Sequence, residues 1–572
     1  MNNKLVLADF IVFGIYFILL AAYGYFIYQK KKKKSVTATH DFFLAEGSLT
    51  WWAIGASLIA SNISAEQFIG MSGDGFFVGT AIAAYEWIAA IALIIIAVWF
   101  MPVYLKNKIY TMPQFLKTRY NESVALIMAV FWLFLYVFVN LTSILYLGAV
   151  AISGLAGQEY LHIIMIALAV FGLIITLGGM KVIGYTDVLQ VAVLIIGGLA
   201  TTYLALTKVS EAFNMGSNPF TGFQLLMSQA DDHFHMILPK PDDATVNAAL
   251  AGDQQAQLSI DKYLLLPGIA MYFAGQWILN LNYWGCNQYI TQRALGADLK
   301  TARTGILFAG FLKLMMPIIV MLPGIAAYVL HRQESLEGFS GNKDTAYSAV
   351  LAFLPEGLKG LSVAALTAAI VASLAGKLNS ISTIYTLDIY KKYVNKAATE
   401  TRQVWIGRIA VLFAMLIALI FTWEDILGIG GEGGFTFIQK YTGFISPGVF
   451  AMFILGMFWK RTTGAAAVAG LLTGFILAIF FNSYAVDVLG TENILYTAFP
   501  NGNGGYEIPF LVNMGWSFVF TIIVMVSISM FGPKENPKAF VLDKSMFKLS
   551  PTHMIMIIAI LLILGALYAK VW

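Results

Sequence analysis

The 572 residues of this chain are 59% hydrophobic and 12% charged, and their mean hydropathy is +0.76. A soluble globular domain carries about twice that charged fraction, so the composition excludes a soluble protein and predicts a polytopic membrane protein. The formal net charge of +4 is small for this length and excludes a nucleic-acid-binding surface. A single cysteine, Cys286, excludes an internal disulfide framework.

Apolar runs long enough to cross a bilayer as helices recur along the whole chain. The first run, residues 6–28, is too long for the core of a signal peptide and lacks a small-residue cleavage pattern, so we expect an accessory membrane helix there. The runs predict about fourteen transmembrane helices, with centres near residues 18, 62, 92, 138, 168, 195, 279, 317, 370, 412, 447, 473, 520 and 561. An even number places both termini on one side of the membrane.

Lysine and arginine residues are concentrated in alternate short loops of this helix pattern. The positively charged clusters lie at residues 30–34, 106–119, 181, 293–303, 391–396, 460–461 and 534–548. By the positive-inside rule these loops are cytoplasmic, which predicts that both termini are periplasmic or extracellular. The longest loop, about 207–262, carries six aspartates and falls on the opposite face.

The stretch from Ser57 to Gly70, SLIASNISAEQFIG, places polar residues inside the second apolar run. Backbone groups in hydrocarbon must be satisfied internally, so this stretch predicts a helix that breaks at mid-depth and turns its freed carbonyls toward a cavity. The alternative is that these small polar residues only pack one helix against another.

A second interruption lies at residues 267–290, where Asn280, Asn282 and Asn287 fall in an apolar span. It comes five spans after the first. Two broken helices at corresponding positions indicate an inverted repeat whose axis passes through a binding site. We therefore predict one transmembrane domain, whose parts are an accessory helix at 6–28, repeat 1 at 50–206, repeat 2 at 267–458 and accessory helices at 463–572.

Four ionisable residues lie at or near membrane depth: Glu86, Asp187, Lys313 and Lys377. A charge at the centre of a bilayer costs about 2.5–3.5 kcal/mol on insertion scales, so we expect each to face the protein interior or water. The alternatives are a purely structural salt bridge at Glu86 and a Lys313 side chain that extends to the membrane interface.

The intramembrane polar residues suit an uncharged, polyhydroxylated solute. Glu86 and Lys313 balance in charge, and the neutral donors and acceptors are Asn62, Gln67, Asn280 and Gln439. Sugar hydroxyls both donate and accept hydrogen bonds, so amides with a carboxylate and an ammonium can satisfy them. Nearby aromatic residues that can cover a sugar ring are Tyr85, Tyr283, Trp284, Phe435 and Phe437. A carboxylate substrate would require an unbalanced cation, and this set contains none.

Several motifs together resemble the sodium/solute symporter family, and within it the sodium/glucose and sodium/galactose cotransporter branch. They are ASLIASNISAEQFIGMSGDG, AYEWIAA, FVNLTSILYLG, GGMKVIGYTDVLQ, NYWGCNQYITQRAL, FLKLMMPIIVMLPGIAAYV, LNSISTIYTLDIYKKY and FTFIQKYTGFISPG. The resemblance runs through most of the chain. It implies an all-α polytopic membrane protein of fourteen helices, with a LeuT-type 5+5 inverted-repeat core and two broken helices, that couples sodium entry to sugar uptake by alternating access.

The resemblance also implies a sugar site. The positions that match it are Gln67, Glu86, Asn280, Lys313 and Gln439, supported by Asn62. Tyr283, next to Trp284, matches an aromatic inner gate below the sugar. The residues that match a hydrophobic outer lid are Met71, Tyr85 and Phe435. Relatives can carry a small hydroxyl residue three positions after the glutamate, and Ala89 stands there in this chain.

The sodium site that the resemblance implies joins backbone carbonyls at Ala60 and Ile63 to Ala369 and to two successive hydroxyl residues. In this chain that pair is Ala372 and Ser373. Sodium is a hard cation that needs about five oxygen ligands, so the missing hydroxyl at Ala372 should weaken the site.

Lys377 occupies a position that is apolar in the relatives, one helical turn after Ser373. Its ammonium group could serve as a resident cation in place of sodium, with Asp187, which resembles the family's sodium-exit carboxylate, as its partner. This hypothesis predicts sodium-independent or proton-linked transport. The alternative is that Lys377 is solvated or paired in the cytoplasmic vestibule and that sodium binds at Ser373.

We therefore expect a sodium-driven secondary active transporter of a neutral monosaccharide, galactose or glucose. A symporter for another polyol such as myo-inositol and a transport-silent sugar sensor are the alternatives. We expect no enzyme, because no nucleophile, base and orienting group converge at recognisable spacing. The expected partners are the sugar, sodium and the lipid bilayer, with no nucleic acid and no obligatory protein partner. The lack of a cleavable signal and the bacterial character of the resemblance favour a bacterial inner membrane.

Overall fold

Helices dominate the computed structural model, which describes residues 5–32, 49–63, 66–336, 339, 341, 343–429 and 434–572. Among these residues, a short antiparallel hairpin pairs β1 (Phe499–Pro500) with β2 (Tyr506–Glu507) in the loop before the last two helices. The predominance of helices among the described residues confirms the prediction of an all-α protein.

Eleven helices in the described ranges are long and apolar enough to cross a membrane, and one further span is bent by 78° at a break. The eleven are Leu7–Ile27, Gln67–Lys106, Glu122–Ala156, Gln158–Leu177, Val182–Ala212, Leu299–Arg332, Leu358–Val394, Glu400–Trp423, Gly464–Ser483, Phe510–Met530 and Pro551–Val571. The bent pair is Gln254–Phe273 with Gln276–Cys286. The polytopic architecture is therefore confirmed, whereas the count of fourteen spans and the division into two repeats stay predictions.

The helices of the first half are α1 (Leu7–Lys32), α2 (Trp51–Asn62), α3 (Ser72–Val78), α4 (Ala84–Ile95), α5 (Met101–Lys106), α6 (Met112–Arg119), α7 (Glu122–Phe134), α8 (Thr142–Ala156), α9 (Leu161–Leu177), α10 (Met180–Ala212), α11 (Pro219–Gln229), α12 (Asp243–Leu250) and α13 (Gln254–Leu265). Wider π-helical turns join several of them, at Glu66–Met71, Ile96–Phe100 and Leu135–Leu141.

The second half contains α14 (Ala270–Phe273), α15 (Gln276–Cys286), α16 (Gln288–Leu295), α17 (Leu299–Val320), α18 (Leu322–Arg332), α19 (Ala346–Leu351), α20 (Leu358–Thr383), α21 (Glu400–Trp423), α22 (Gly434–Gly443), α23 (Ser446–Phe458), α24 (Gly464–Ser483), α25 (Ala485–Leu489), α26 (Phe510–Met530) and α27 (Pro551–Val571). A π-helical segment, Ile384–Val394, continues α20.

The first broken helix ends where the sequence predicts it. Helix α2 stops at Asn62 because Ile63 takes an extended backbone conformation, with φ −80° and ψ 101°. The chain becomes helical again in the π-turn Glu66–Met71 and continues into α3. A helix that stops in this way leaves its last carbonyl oxygens without intrahelical partners, so they can bind another group.

The second interruption lies at Asn287, between α15 and α16. This residue has φ −94° and ψ 125°, so the helical hydrogen-bond pattern stops there and restarts at Gln288. The broken segment predicted at residues 267–290 is therefore confirmed.

Helix α2 packs closely against α17 through glycines. An added Cβ at Gly55 would lie 2.5 Å from the Phe308 ring, and one at Gly305 would lie 2.8 Å from Ile54. Small residues at membrane helix interfaces let backbones approach in this way. The contact places the broken end of α2 beside Lys313, which α17 carries two turns further along.

The long acidic loop and the C-terminus lie together. The backbone NH of Met236 donates to the carbonyl of Val571 at 2.8 Å, and His233 Nε2 is 3.0 Å from the carbonyl oxygen of Phe76 at the end of α3. Gly79 has φ +74°, and a Cβ there would lie 2.2 Å from the carbonyl oxygen of His233. The loop therefore covers the second half of the first broken helix, the part that follows the break.

Candidate functional site

A small cavity of about 60 Å³ lies between the two broken helices. The polar side chains that the sequence predicts for solute binding all line it: Asn62, Gln67, Glu86, Asn280, Lys313 and Gln439. These residues come from α2, the π-turn after it, α4, α15, α17 and α22. The fold thus brings together in one cavity side chains that are up to 377 residues apart in sequence.

A buried ion pair forms one wall of this cavity. The Lys313 ammonium lies 2.5 Å from Glu86 Oε2, and the two residues are 1% and 2% exposed. The same ammonium donates to Asn62 Oδ1 and lies 5.3 Å from the centre of the Trp284 ring. The alternative in which Lys313 extends to the membrane interface is therefore wrong. Glu86 does form a salt bridge, as the structural alternative expects, but both partners also line the cavity.

Hydrogen bonds continue from this ion pair to two tyrosines. The amide NH₂ of Asn62 donates to the Tyr283 hydroxyl at 3.0 Å, and the Tyr289 hydroxyl donates to the same oxygen. The Tyr283 and Tyr289 rings meet edge to face, with centroids 5.7 Å apart. Tyr283 is thus held at the cavity from two sides.

Gln67 differs from the other amides of the cavity. Its Oε1 is buried and accepts no hydrogen bond from any residue that the structure describes. Because an unsatisfied buried carbonyl oxygen costs about 1–3 kcal/mol, this atom is a ready acceptor for a ligand hydroxyl. By contrast, the Asn280 amide donates to the carbonyl of Gln276 at 3.0 Å, which fixes its orientation.

Some of the predicted gate residues line the cavity, and others do not. Tyr85, Tyr283 and Trp284 line the cavity, as does Ala89. Met71 is fully buried and does not line the cavity. The Phe435 side chain lies outside the described residues, so the outer lid stays a prediction.

Several lining residues were not predicted as ligands: Asn140, Asn287, Thr442 and Lys377. Asn140 lies in the π-turn Leu135–Leu141 and Asn287 at the second helix break, where its Oδ1 accepts from the Tyr136 hydroxyl. An amide inside an apolar span was the signal that could have identified Asn140.

Asp187 has a different partner from the predicted one. Arg293 Nη2 lies 3.7 Å from Asp187 Oδ2, and the same carboxylate oxygen accepts from the Ser57 hydroxyl. Arg293 Nε donates to Ser57 Oγ at 2.8 Å, which closes the cluster. The prediction that Lys377 pairs with Asp187 is therefore wrong. It failed because Arg293 was assigned to a cytoplasmic loop, whereas α16 carries it into the core, where it is 1% exposed.

Comparison with known proteins then places the chain. The model of the sodium:solute symporter family matches residues 42–474. This chain belongs to the sodium:solute symporter family. It is 40% identical to a sodium/glucose cotransporter of Vibrio parahaemolyticus over 99% of this chain and 98% of that protein. It is 32% identical to a sodium/myo-inositol cotransporter of Bos taurus, over 84% of this chain and 67% of that protein.

A solved structure supports the fold. A Na+-coupled sialic acid symporter in a substrate-bound, outward-open state superimposes with a TM-score of 0.73, covering 93% of this chain and 99% of that one. At 19% identity this likeness shows the fold alone. The family and the all-α, LeuT-type fold class are thus as predicted, whereas the division of the core into two five-helix repeats stays a prediction. The family consists of transporters and not of enzymes.

The residues that the resemblance predicts for a sodium site lie where α20 crosses the end of α2. The Ser373 hydroxyl donates to the carbonyl oxygen of Ser61 at 2.8 Å. Ala60, Ile63 and Ala369 are all buried beside this contact region, as is Ser373. Carbonyl and hydroxyl oxygens are the donors that a hard cation prefers, so this set fits sodium. Ala372 is fully buried and supplies no side-chain oxygen.

Lys377 does not lie in a solvated vestibule. It is 4% exposed, lines the cavity, and holds its ammonium 4.9 Å from the centre of the Tyr289 ring. A cation over an aromatic face is attracted by the negative potential of the ring. Lys377 is therefore not solvated, and it lines the same cavity as Glu86 and Lys313. That Lys377 is paired and that sodium binds at Ser373 stay predictions.

Proposed function

We propose that this member of the family is a secondary active transporter that couples sodium entry to the uptake of a monosaccharide. The observation that carries the proposal is the convergence of six amide side chains and the Glu86–Lys313 pair on one cavity between two broken helices. Such a set can pair with the many hydroxyls of a sugar. The 40% identity to a protein named a sodium/glucose cotransporter supports galactose or glucose as the substrate.

The proposed cycle uses the two helix breaks. Sodium bound near Ala60, Ile63, Ala369 and Ser373 orders the end of α2 and favours the outward-open state. The sugar then binds to Gln67, Asn280, Gln439 and the ion pair. Release toward the cytoplasm requires Tyr283 to leave its hydrogen bond with Asn62. The energy transferred is bounded by the difference in sodium affinity between the two states.

We further propose a bacterial inner membrane location with both termini periplasmic. The alternation of positively charged loops supports this orientation. The contact between Val571 and Met236, which places the C-terminus against the acidic loop, agrees with it.

Removal of either of two cavity amides tests the sugar site. We expect Gln67→Ala and Gln439→Ala each to reduce uptake of radiolabelled galactose about tenfold to a hundredfold, because each removes hydrogen bonds worth about 1–3 kcal/mol. The measurement is accumulation in proteoliposomes under an inward sodium gradient, with choline replacing sodium in the parallel sample.

Asn482→Ala is the matched control, because its amide donates to the carbonyl of Ala478 within α24 and does not line the cavity. Full uptake by both cavity variants would discard this site. Sugar binding without accumulation by the unaltered protein would instead support a sensor, and stronger competition by myo-inositol than by galactose would support a polyol symporter.

The sodium site is tested by supplying the missing hydroxyl. We expect Ala372→Ser to lower the sodium concentration for half-maximal uptake, and Ser373→Ala to raise it by about tenfold, since each changes one oxygen at the cation. Ala368→Ser is the control, because Ala368 packs against Tyr16 and Phe17 of α1 on another face of α20. An identical sodium dependence in all variants would rule out this site.

A further inference from the structure

A fully buried glutamine lies one helical turn from the residues that line the cavity. Gln276 is the first residue of α15 and is 0% exposed. Neither its amide oxygen nor its amide nitrogen has a hydrogen-bond partner among the residues that the structure describes. Buried amides are nearly always paired, because an unpaired donor or acceptor has lost its hydrogen bonds to water. Gln276 therefore marks a position where the polar groups of a ligand would be stabilised.

Gln276 lies on the face of α15 that borders the cavity. Asn280 and Tyr283 line the cavity and follow Gln276 by four and seven residues, which is the spacing of one helical face. The turn between Gln276 and Asn280 spans about 6 Å along the helix axis. Helix α15 packs along α4, which carries Glu86 and Ala89 of the cavity wall. Gln276 thus continues the polar row of the cavity by one turn, toward the bend that precedes α15.

The backbone at this bend is held in place by α26. A Cβ added at Gly275 would lie 2.6 Å from the carbonyl oxygen of Leu511, so the two backbones are in direct contact. The ring of Trp277 meets the ring of Phe518 edge to face, with centroids 5.3 Å apart. Because these contacts fix the residues on either side of it, the helix cannot rotate to bring Gln276 to another face.

The cavity must widen before it can hold a sugar. Its volume is about 60 Å³, whereas sites that enclose small ligands measure about 300 Å³ or more. Widening by one turn along α15 adds Gln276 to the wall. The hydroxyl groups of a sugar that reaches this turn supply the hydrogen bonds that the Gln276 side chain lacks.

We propose that Gln276 binds two neighbouring hydroxyl groups of the sugar and thereby determines which sugars are accepted. This inference rests on the proposed function as a sugar symporter. The amide oxygen accepts a hydrogen bond from one hydroxyl and the amide NH₂ donates to the other, so a diol satisfies both ends of the group. A sugar that lacks one of these hydroxyls leaves part of a buried amide unsatisfied, and it binds more weakly for that reason.

The proposal predicts that one substitution weakens binding without weakening the fold. Gln276→Leu keeps most of the side-chain volume and removes both unpaired polar atoms. Because loss of an unsatisfied buried group is neutral or stabilising, we expect unfolding in detergent at the temperature of the unaltered protein or above it. We expect the half-saturating galactose concentration for sodium-driven uptake in proteoliposomes to rise about tenfold. A purely structural role would lower the unfolding temperature or leave this concentration unchanged.

Deoxy sugars test whether the contact is direct. Each monodeoxygalactose competes with radiolabelled galactose for uptake by the unaltered protein and by Gln276→Leu. For the unaltered protein, we expect removal of either of two adjacent hydroxyls to raise the inhibitory concentration about tenfold or more. In Gln276→Leu the penalty for these two sugars should fall to about a tenth of that value, while the penalties for the other deoxy sugars stay the same.

Gln403→Leu is the matched control. Gln403 is also buried, its amide oxygen has no partner among the described residues, and it lies on α21 and does not line the cavity. We expect this variant to keep the half-saturating concentration of the unaltered protein. If the branched leucine lowers the yield of folded protein, the unbranched Gln276→Met carries the same expectations.

Two results would overturn this inference and leave the proposed function intact. One is an unchanged half-saturating concentration in the folded Gln276 variants. The other is a raised concentration with every deoxy-sugar penalty retained, because Gln276 would then act only through packing. Failure of the folded, unaltered protein to take up any sugar would overturn the proposed function itself.

Discussion

Glu86→Gln is expected to abolish sugar uptake and to lower the free energy of unfolding by about 3–5 kcal/mol, because it leaves the buried Lys313 ammonium without its carboxylate. The remaining neighbours of Lys313 among the described residues, Asn62 Oδ1 and the Trp284 ring, carry no full negative charge. The measurements are thermal unfolding of purified protein in detergent and sodium-driven uptake in proteoliposomes.

A second variant separates stability from binding. Glu86→Gln combined with Lys313→Met removes both charges, so we expect most of the stability to return while uptake stays absent. Glu535→Gln is the control, because its 2.7 Å pair with Lys460 is more than half exposed, and such pairs contribute little. Normal stability of Glu86→Gln would show that the pair is not the buried contact described.

Removal of Arg293 should destabilise the protein by a similar amount, because it breaks a different buried ion pair. Arg293→Met leaves Asp187 buried with the Ser57 hydroxyl, so we expect destabilisation by about 3–5 kcal/mol and poor yield of folded protein. The cluster joins α2, α10 and α16, and Arg293 also donates to the carbonyl of Tyr289. Its loss should therefore loosen the contact between the two broken segments.

The conservative and double variants make this prediction specific. Arg293→Lys should remain destabilised, because a single ammonium cannot replace a guanidinium that bonds Ser57, Asp187 and a backbone carbonyl at once. Arg293→Met with Asp187→Asn should recover part of the loss. Arg332→Met is the control at an exposed arginine. Unfolding of Arg293→Met at the temperature of the unaltered protein would refute the role of this cluster.

The two predictions differ in what they require of the sugar site. The Glu86 pair borders the cavity, so its double variant should fold but should not take up sugar. The Arg293 cluster does not border it, so any variant that recovers stability there should recover sugar uptake in proportion. Measuring stability and uptake on the same preparations distinguishes a binding residue from one that positions the broken helices.

Much of this protein could be predicted from sequence because the signals are local. Apolar runs of sufficient length mark membrane helices wherever they pack, and polar residues inside such runs mark breaks, which the structure places at Ile63 and Asn287. Intramembrane charges are costly anywhere, so Glu86 and Lys313 were candidates for an interior site before their contact was known. Motifs spread along the chain predicted the family.

Tertiary structure alone decided which charges meet. Arg293 and Lys377 are both cations in the second half of the sequence. Only the orientation and crossing of α16 and α20 bring Arg293 to Asp187 and place Lys377 at the cavity. Asn140 became a lining residue for the same reason. Helix periodicity gives the face of a side chain relative to its own helix, whereas its partner depends on contacts between helices that are far apart in sequence. The sequence therefore determined a family and a set of polar residues, and the packing determined the charge of the site.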